Sequence, residues 1–279
     1  MNRLLIALPF VALFAACGDD NSPSSSSSTT APSPTTTAVT VTVSNPVRMG
    51  QTAQATGSET LSDGQTRAIT SGWLSDAAAV ATVTNAGLVT GVANGRATIY
   101  VVTGGRQGQQ VVRVVPDYQG RWSGGLRVTS CTQTGIFANS PVCAESPVGT
   151  TYRYALGLSQ TGEQMTATVD YGAPWLFPGA NAPIRDDGTS AFTPSMSATD
   201  PEVGITLSLE TAFTINSTRL GELTGTVNEV WRVPGFNGEV RLAQDIVGTT
   251  RTSSTTLASM SDGDGRRLRF LRKLTMQKR

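Results

Sequence analysis

Apolar residues recur at every second position through much of this chain. Val39, Val41 and Val43 alternate with Thr40 and Thr42, a period of two that predicts a strand with one buried face. The runs 80–83, 88–90, 97–102 and 110–115 have the same texture, with Asn85-Ala86-Gly87 as a turn and 104–108 as a glycine-rich hairpin loop. Some seven short strands between 39 and 115 predict a two-sheet sandwich. Pro116-Asp117 reads as a junction. Beyond it, strands are expected at 121–130, 152–159, 164–171, 203–215, 222–233, 239–246, 250–258 and 266–275. Asp186-Asp187-Gly188, Asn237-Gly238 and Asp262-Gly263-Asp264-Gly265 fall between them as turns. Strands in sequence order form an antiparallel meander, which best removes its edges by closing into a barrel; an open sandwich is the alternative. The expected class is all-β, a sandwich over 39–116 followed by a meander domain over 117–279.

The N-terminus breaks this rhythm. Residues 4–16 are apolar without interruption and follow Asn2 and Arg3. Thirteen residues are too few for a bilayer, which takes about twenty, so 1–16 reads as an export signal. Phe14-Ala15-Ala16-Cys17 resembles the bacterial lipoprotein signal, although Phe14 stands where leucine is usual. That resemblance implies acylation of Cys17 and a lipid anchor in a membrane of the cell envelope, the outer membrane if the cell has one, with the protein facing periplasm or surface. Ordinary signal cleavage after Cys17 or Gly18 is the alternative. Residues 17–38 hold five consecutive serines and alternating Thr and Pro. They lack apolar side chains large enough to offset ordering entropy, so a disordered spacer of roughly 25 Å is expected.

Several blocks in the first domain resemble one family. The stretch 47–54, with Gly50-Gln51-Thr52, is similar to an early strand of the bacterial Ig-like domains of group 2. Gly72-Trp73-Leu74-Ser75-Asp76 and Val80-Ala81-Thr82-Val83 resemble its core, and 87–99, with Gly87-Leu88-Val89-Thr90-Gly91-Val92, resembles its signature. The resemblance implies a sandwich used as an adhesive or spacer module, with no catalytic residue. Trp73 is then the apolar anchor between sheets. In the second domain Gly120-Arg121-Trp122 resembles the opening of lipocalin-type barrels, in which an arginine of the last strand covers the tryptophan. Trp122 is therefore a second core anchor, with Arg269 or Arg272 expected over it.

Composition narrows the function. Between 18 and 265 there are 13 basic and 20 acidic groups, a net charge of −7, and the last 14 residues add +7. Such a body does not suit nucleic acid, which needs a broad basic footprint. The tail reads as a closing strand guarded by charge, or as a basic amphipathic segment. Cys131 and Cys143 are the cysteines left after Cys17, and an oxidising envelope favours their pairing over a metal site.

The chain contains no histidine, which excludes a Ser-His-Asp triad and a His-containing zinc site. No cofactor or metal is expected, and Asp262 and Asp264 are better read as a turn than as calcium ligands. Asp170, Glu210, Glu222 and Glu229 are candidate carboxylates for sugar cleavage, more simply read as outward-facing strand residues. Tyr171, Trp175, Phe177 and Phe236 sit near Gly and Pro, and grouped at a barrel mouth they would suit a sugar or apolar ligand. The reading is a non-catalytic envelope protein that binds or displays, with a protein or polysaccharide partner. A small-ligand carrier and a structural envelope component are the alternatives.

Overall fold

The computed structural model describes residues 32–170, 176–199 and 204–252, of which all from Thr35 onward belong to one compact unit. The first ten strands are β1 (Thr36–Thr42), β2 (Val47–Arg48), β3 (Thr52–Gln54), β4 (Thr56–Leu61), β5 (Thr66–Ala68), β6 (Leu74–Ser75), β7 (Ala81–Val83), β8 (Leu88–Gly91), β9 (Gly95–Thr103) and β10 (Arg106–Val115). They form sheets of order β1-β4-β5, β2-β10-β9-β6 and β3-β8-β7. β1 begins at Thr36, three residues before the expected start, because Thr36 and Ala38 already pair with Leu61 and Thr60.

Alternate residues of β9 and β10, among them Ala97, Ile99, Val101, Val112 and Val114, close over Trp73 to make the sandwich core. Trp73 is 3 % exposed, and two glycines make room for it. A Cβ on Gly57 would lie 2.9 Å from the indole, and one on Gly87, at φ +86°, 3.0 Å from its Nε1. The glycine of the Asn85-Ala86-Gly87 turn thus serves both the bend and the approach of the ring.

The remaining strands are β11 (Gly120–Gln133), β12 (Thr151–Thr161), β13 (Gln164–Asp170), β14 (Leu176–Pro183), β15 (Ser190–Phe192), β16 (Ser195–Thr199), β17 (Thr206–Asn216), β18 (Thr224–Arg232) and β19 (Val240–Thr252). A short helix, α1 (Val142–Glu145), follows a 3-10 turn at Gly135–Phe137 in the β11–β12 connection. The sheet runs β14-β13-β12-β11-β19-β18-β17-β15, with β16 also on β17. A bridge between Ile184 and Ser190 joins its two ends, so the meander is a nearly closed barrel. Inward residues alternate along each strand: Trp122, Leu126 and Val128; Tyr154, Leu156 and Leu158; Leu207, Leu209, Phe213 and Ile215. Each of them is at most 3 % exposed. Eight strand positions enclose just enough space for such side chains, and here they fill it.

Three expectations need correction, and a fourth falls partly outside the described residues. The stretches 239–246 and 250–258 were expected as two strands, but Val240–Thr252 is one; a register shift opposite Ser123 and Gly125 accommodates Gly248 at φ +58°. The pattern break there is a bulge, not a turn. β14, β15 and β16 were not expected at all, because Pro178, Gly179 and Pro183 carry loop signals. Those residues are tolerated at the seam, where among the described residues β14 pairs along its length only with β13. Glu229 points inward, at 1 % exposure, not outward; Asp170 has the outward parity of β13, opposite to Met165, Ala167 and Val169, yet is only 6 % exposed. The arginine over Trp122 is Arg251 of β19, 5.5 Å from the ring centroid, whereas Arg269, Arg272, the 266–275 strand and the Asp262–Gly265 turn lie outside the described residues.

Candidate contact site

Contacts fix which ends of the two domains meet. Thr36 and Thr103 both donate to Glu59 Oε2, at 2.9 and 3.1 Å, so the chain enters beside the β9–β10 turn. β10 leaves at the opposite end, and residues 116–119 lead directly into β11. The barrel turns at 162–163 and 184–189 meet the sandwich there, as Arg113 NH2 donates to Arg185 O and Arg113 Nε lies 2.8 Å from Glu163 Oε1. The β11–β12 and β18–β19 connections lie at the other end of the barrel. This distal end is the end of the barrel remote from its contacts with the sandwich.

The base of the barrel is a stack of charge on an aromatic ring. Trp122 Nε1 donates to Tyr118 O at 2.8 Å. Arg251 covers the indole and donates to Asp117 Oδ2 at 2.9 Å, while Arg48 of the sandwich donates to Oδ1 at 3.1 Å. The Asp117 side chain is 3 % exposed, so its two arginines replace the water it loses. Tyr118 OH donates to Gly188 O at 2.6 Å, and burial raises its pKa.

The barrel interior holds a few polar groups among the apolar ones. Trp231 Nε1 donates to Glu229 Oε2 at 2.9 Å, and Thr211 sits opposite Glu229 in the β17–β18 register. Tyr154 OH, Thr211 Oγ1 and Gln244 Oε1 are buried without a hydrogen-bond partner. Burial alone pushes the Tyr154 phenol up.

The distal end is built from two loops locked together. Cys131 and Cys143 are bonded with Cα atoms 5.5 Å apart. Inside the loop they close, Gln133 Nε2 donates to Ala138 O and Ser140 O, and its Oε1 accepts from Ser140 Oγ and Cys143 N–H. This loop docks on the β18–β19 turn, as Thr134 N–H donates to Glu239 O at 2.9 Å and Ile136 N–H to Asn237 O at 3.0 Å. Phe236 in that turn is 49 % exposed, and Val148 is 71 % exposed. An Arg232–Glu239–Arg241 cluster flanks the turn.

Of the four candidate ligand aromatics, Phe236 is thus at the distal surface. Phe177 is instead fully buried among core residues; its neighbours Pro and Gly suggest a loop, but it occupies an inward position of β14. Tyr171 and Trp175 lie outside the described residues, as does Cys17. Sequence reading did not single out Asp117, Arg113 or Arg251. The only signal for Asp117 was its place beside Pro116 at the junction.

Among the described residues no group of three or more His, Cys, Asp or Glu is placed to hold a metal. No described helix is long and apolar enough to cross a membrane. Replacing Cys131 and Cys143 together by serine is expected to lower stability by about 3 kcal/mol, the loop entropy expected for this separation. A fall in the urea midpoint checks it, and reductant on the unaltered protein should reproduce the fall.

Three surface carboxyls lie below the ordinary range. Asp76 accepts the Thr98 N–H, Asp187 accepts the Thr189 hydroxyl and N–H, and Glu239 accepts from Arg241 and is further held down by Arg232. A depressed folded pKa gives stability that is present above the unfolded value and lost as pH falls through the folded one. With no histidine to titrate, the unfolding midpoint should be level from pH 9 to 5 and fall only below about pH 4. A midpoint that drops between pH 7 and 5 would contradict this assignment.

The sequence model of the family described as bacterial Ig-like domain (group 2) matches residues 33–115. That segment is an Ig-like domain of this group, as the motifs around Trp73 imply. No curated protein matches the chain. Among solved structures, domains 4–9 of the surface layer protein SbsC align at 16 % identity and a TM-score of 0.27, over 76 % of this chain and 31 % of that one. Domains 5–6 of the same S-layer protein align at 16 % identity and a TM-score of 0.25, over 80 % of this chain and all of that one. The chain thus spans about a third of the first of these, and likeness at this level carries no argument about what it does.

Proposed function

We propose, from the premise that a bacterial Ig-like domain is joined here to a filled barrel, that the protein is a non-catalytic contact module of the bacterial cell envelope. In this reading the Ig-like domain is the stalk and the distal end of the barrel is the contact surface, with a protein or polysaccharide partner. The order of contacts carries it: the chain enters at the end of the sandwich away from the barrel, while the disulfide-braced loops and Phe236 lie at the end of the barrel away from the sandwich. The lack of histidine supports the non-catalytic part. Acylation of Cys17 would supply the tether, with residues 18–35 as spacer.

Binding of the purified protein to isolated envelope polymers and to whole cells tests the reading. Phe236→Ala is expected to weaken binding about tenfold, the size for an exposed aromatic anchor. Turnover of a polysaccharide or peptide would overturn it. Labelling with a radioactive fatty acid, lost in Cys17→Ser, tests the anchor separately.

One observation favours a second reading, a small-ligand carrier: the unpartnered Tyr154, Thr211 and Gln244 atoms in the interior. The filled core weighs against it. Native mass spectrometry of protein from its host decides, since the carrier reading requires a co-purifying small molecule.

A further inference from the structure

The turn between β14 and β15 does more than reverse the chain. Its tip, residues 185–188, reaches out of the barrel and seats against the Ig-like domain. Asp186 takes the guanidinium NH1 of Arg113 on one carboxylate oxygen and Arg96 on the same oxygen at 3.4 Å, and its carbonyl accepts from Asn94 Nδ2 at 3.1 Å. Arg113 is the centre of this arrangement. Its side chain is 5 % exposed, and its guanidinium meets Asp186, Glu163 and the carbonyl of Arg185. A buried arginine whose acceptors all come from the other domain loses them together if the domains part.

The turn is also built to stay in shape. Asp187 accepts the Thr189 N–H and hydroxyl at 2.8 and 2.7 Å. Gly188 at φ +84° lets the tip approach closely: a Cβ there would lie 3.0 Å from Asn94 Cγ and 3.2 Å from Pro116 Cγ. From below, Tyr118 OH holds the Gly188 carbonyl. The connecting residues add no slack, because Asp117 and Tyr118 are 4 % and 0 % exposed and Gln160 Nε2 donates to Pro116 O. Domains in one chain ordinarily move on each other unless the interface is extensive.

We infer that the β14–β15 turn is a bolt and Arg113 its keeper, locking the Ig-like domain and the barrel into one body that opens as a single unit. The Ig-like domain is then not a free spacer but a fixed seat for the barrel, and it sets the direction in which the distal end points. This holds whatever the distal end binds.

Hydrogen exchange of the full chain in rising denaturant tests it. In the unaltered protein, amides of β9–β10 and of β11–β19 are expected to lose protection with coincident midpoints. Arg113→Ala should split them, with the Ig-like strands opening at the lower denaturant concentration. Asp186→Ala, at a side chain 84 % exposed, should give a smaller split in the same direction, and Gly188→Val, which keeps the turn from seating, a larger one. If Arg113→Ala does not fold, these two variants of the turn decide the matter. Separate midpoints in the unaltered protein would overturn the bolt, as would variants whose two midpoints move together or not at all.

Discussion

Asp117→Ala is expected to lower the unfolding free energy by about 3 kcal/mol, the lower end of what breaking a buried ion pair costs. The carboxylate is nearly fully buried and serves two cations, Arg48 and Arg251, which are 34 % and 29 % exposed. Removing it leaves two arginines facing each other across the junction with no anion between them. Their partial exposure lets water screen the repulsion, which keeps the figure from the upper end of the range. Urea unfolding checks it: the midpoint should fall while the slope stays the same. Asp117→Asn, which keeps the shape and one acceptor, should recover only part of the loss. If Asp117→Ala unfolds at the same urea concentration as the unaltered protein, the residue is not the clasp that its geometry implies.

What could be read without coordinates was whatever alternation and local turn chemistry encode. The period-two runs at 39–43 and 97–102 placed β1 and β9 because one face of each is more buried than the other, and the run at 110–115 placed β10 although residues 112–115 are buried on both faces. Trp73 could be placed in the core because its neighbouring blocks resemble a family with a known sandwich. The strands at the barrel seam were hidden for the converse reason. β14 carries proline and glycine because one of its edges is only bridged, so the signals that forbid a central strand do not apply to it.

Charge was the least legible layer. Glu229 looks like a surface residue by composition, and its burial depends on which face of its strand closes inward. The junction could not be read either. Asp117 pairs with Arg48, 69 positions earlier, and with Arg251, 134 positions later, and no local pattern encodes a pairing over such distances. The resemblance at Gly120-Arg121-Trp122 pointed to an arginine over the indole, and among the described residues that arginine is Arg251, which the local pattern did not mark.

Trp122→Ala is expected to be the most damaging single change in the barrel, at about 3–5 kcal/mol, the usual cost of deleting a buried tryptophan. The ring is fully buried at the base of the core, its Nε1 donates to Tyr118 O, and its face carries Arg251. The loss should not stop at a cavity. With the indole gone, Arg251 loses the surface that fixes it under Asp117, so the ion pair weakens as well. Arg251→Met keeps most of the stem and removes the charge, and by itself should cost less than Trp122→Ala. The double variant should then be less destabilised than the two single losses added, by about 1 kcal/mol, because both disturb one stack. Strict additivity in the denaturation cycle would mean that Arg251 serves Asp117 without help from the ring. The tryptophan would then be a packing residue alone, and the junction would be held from the charged side only.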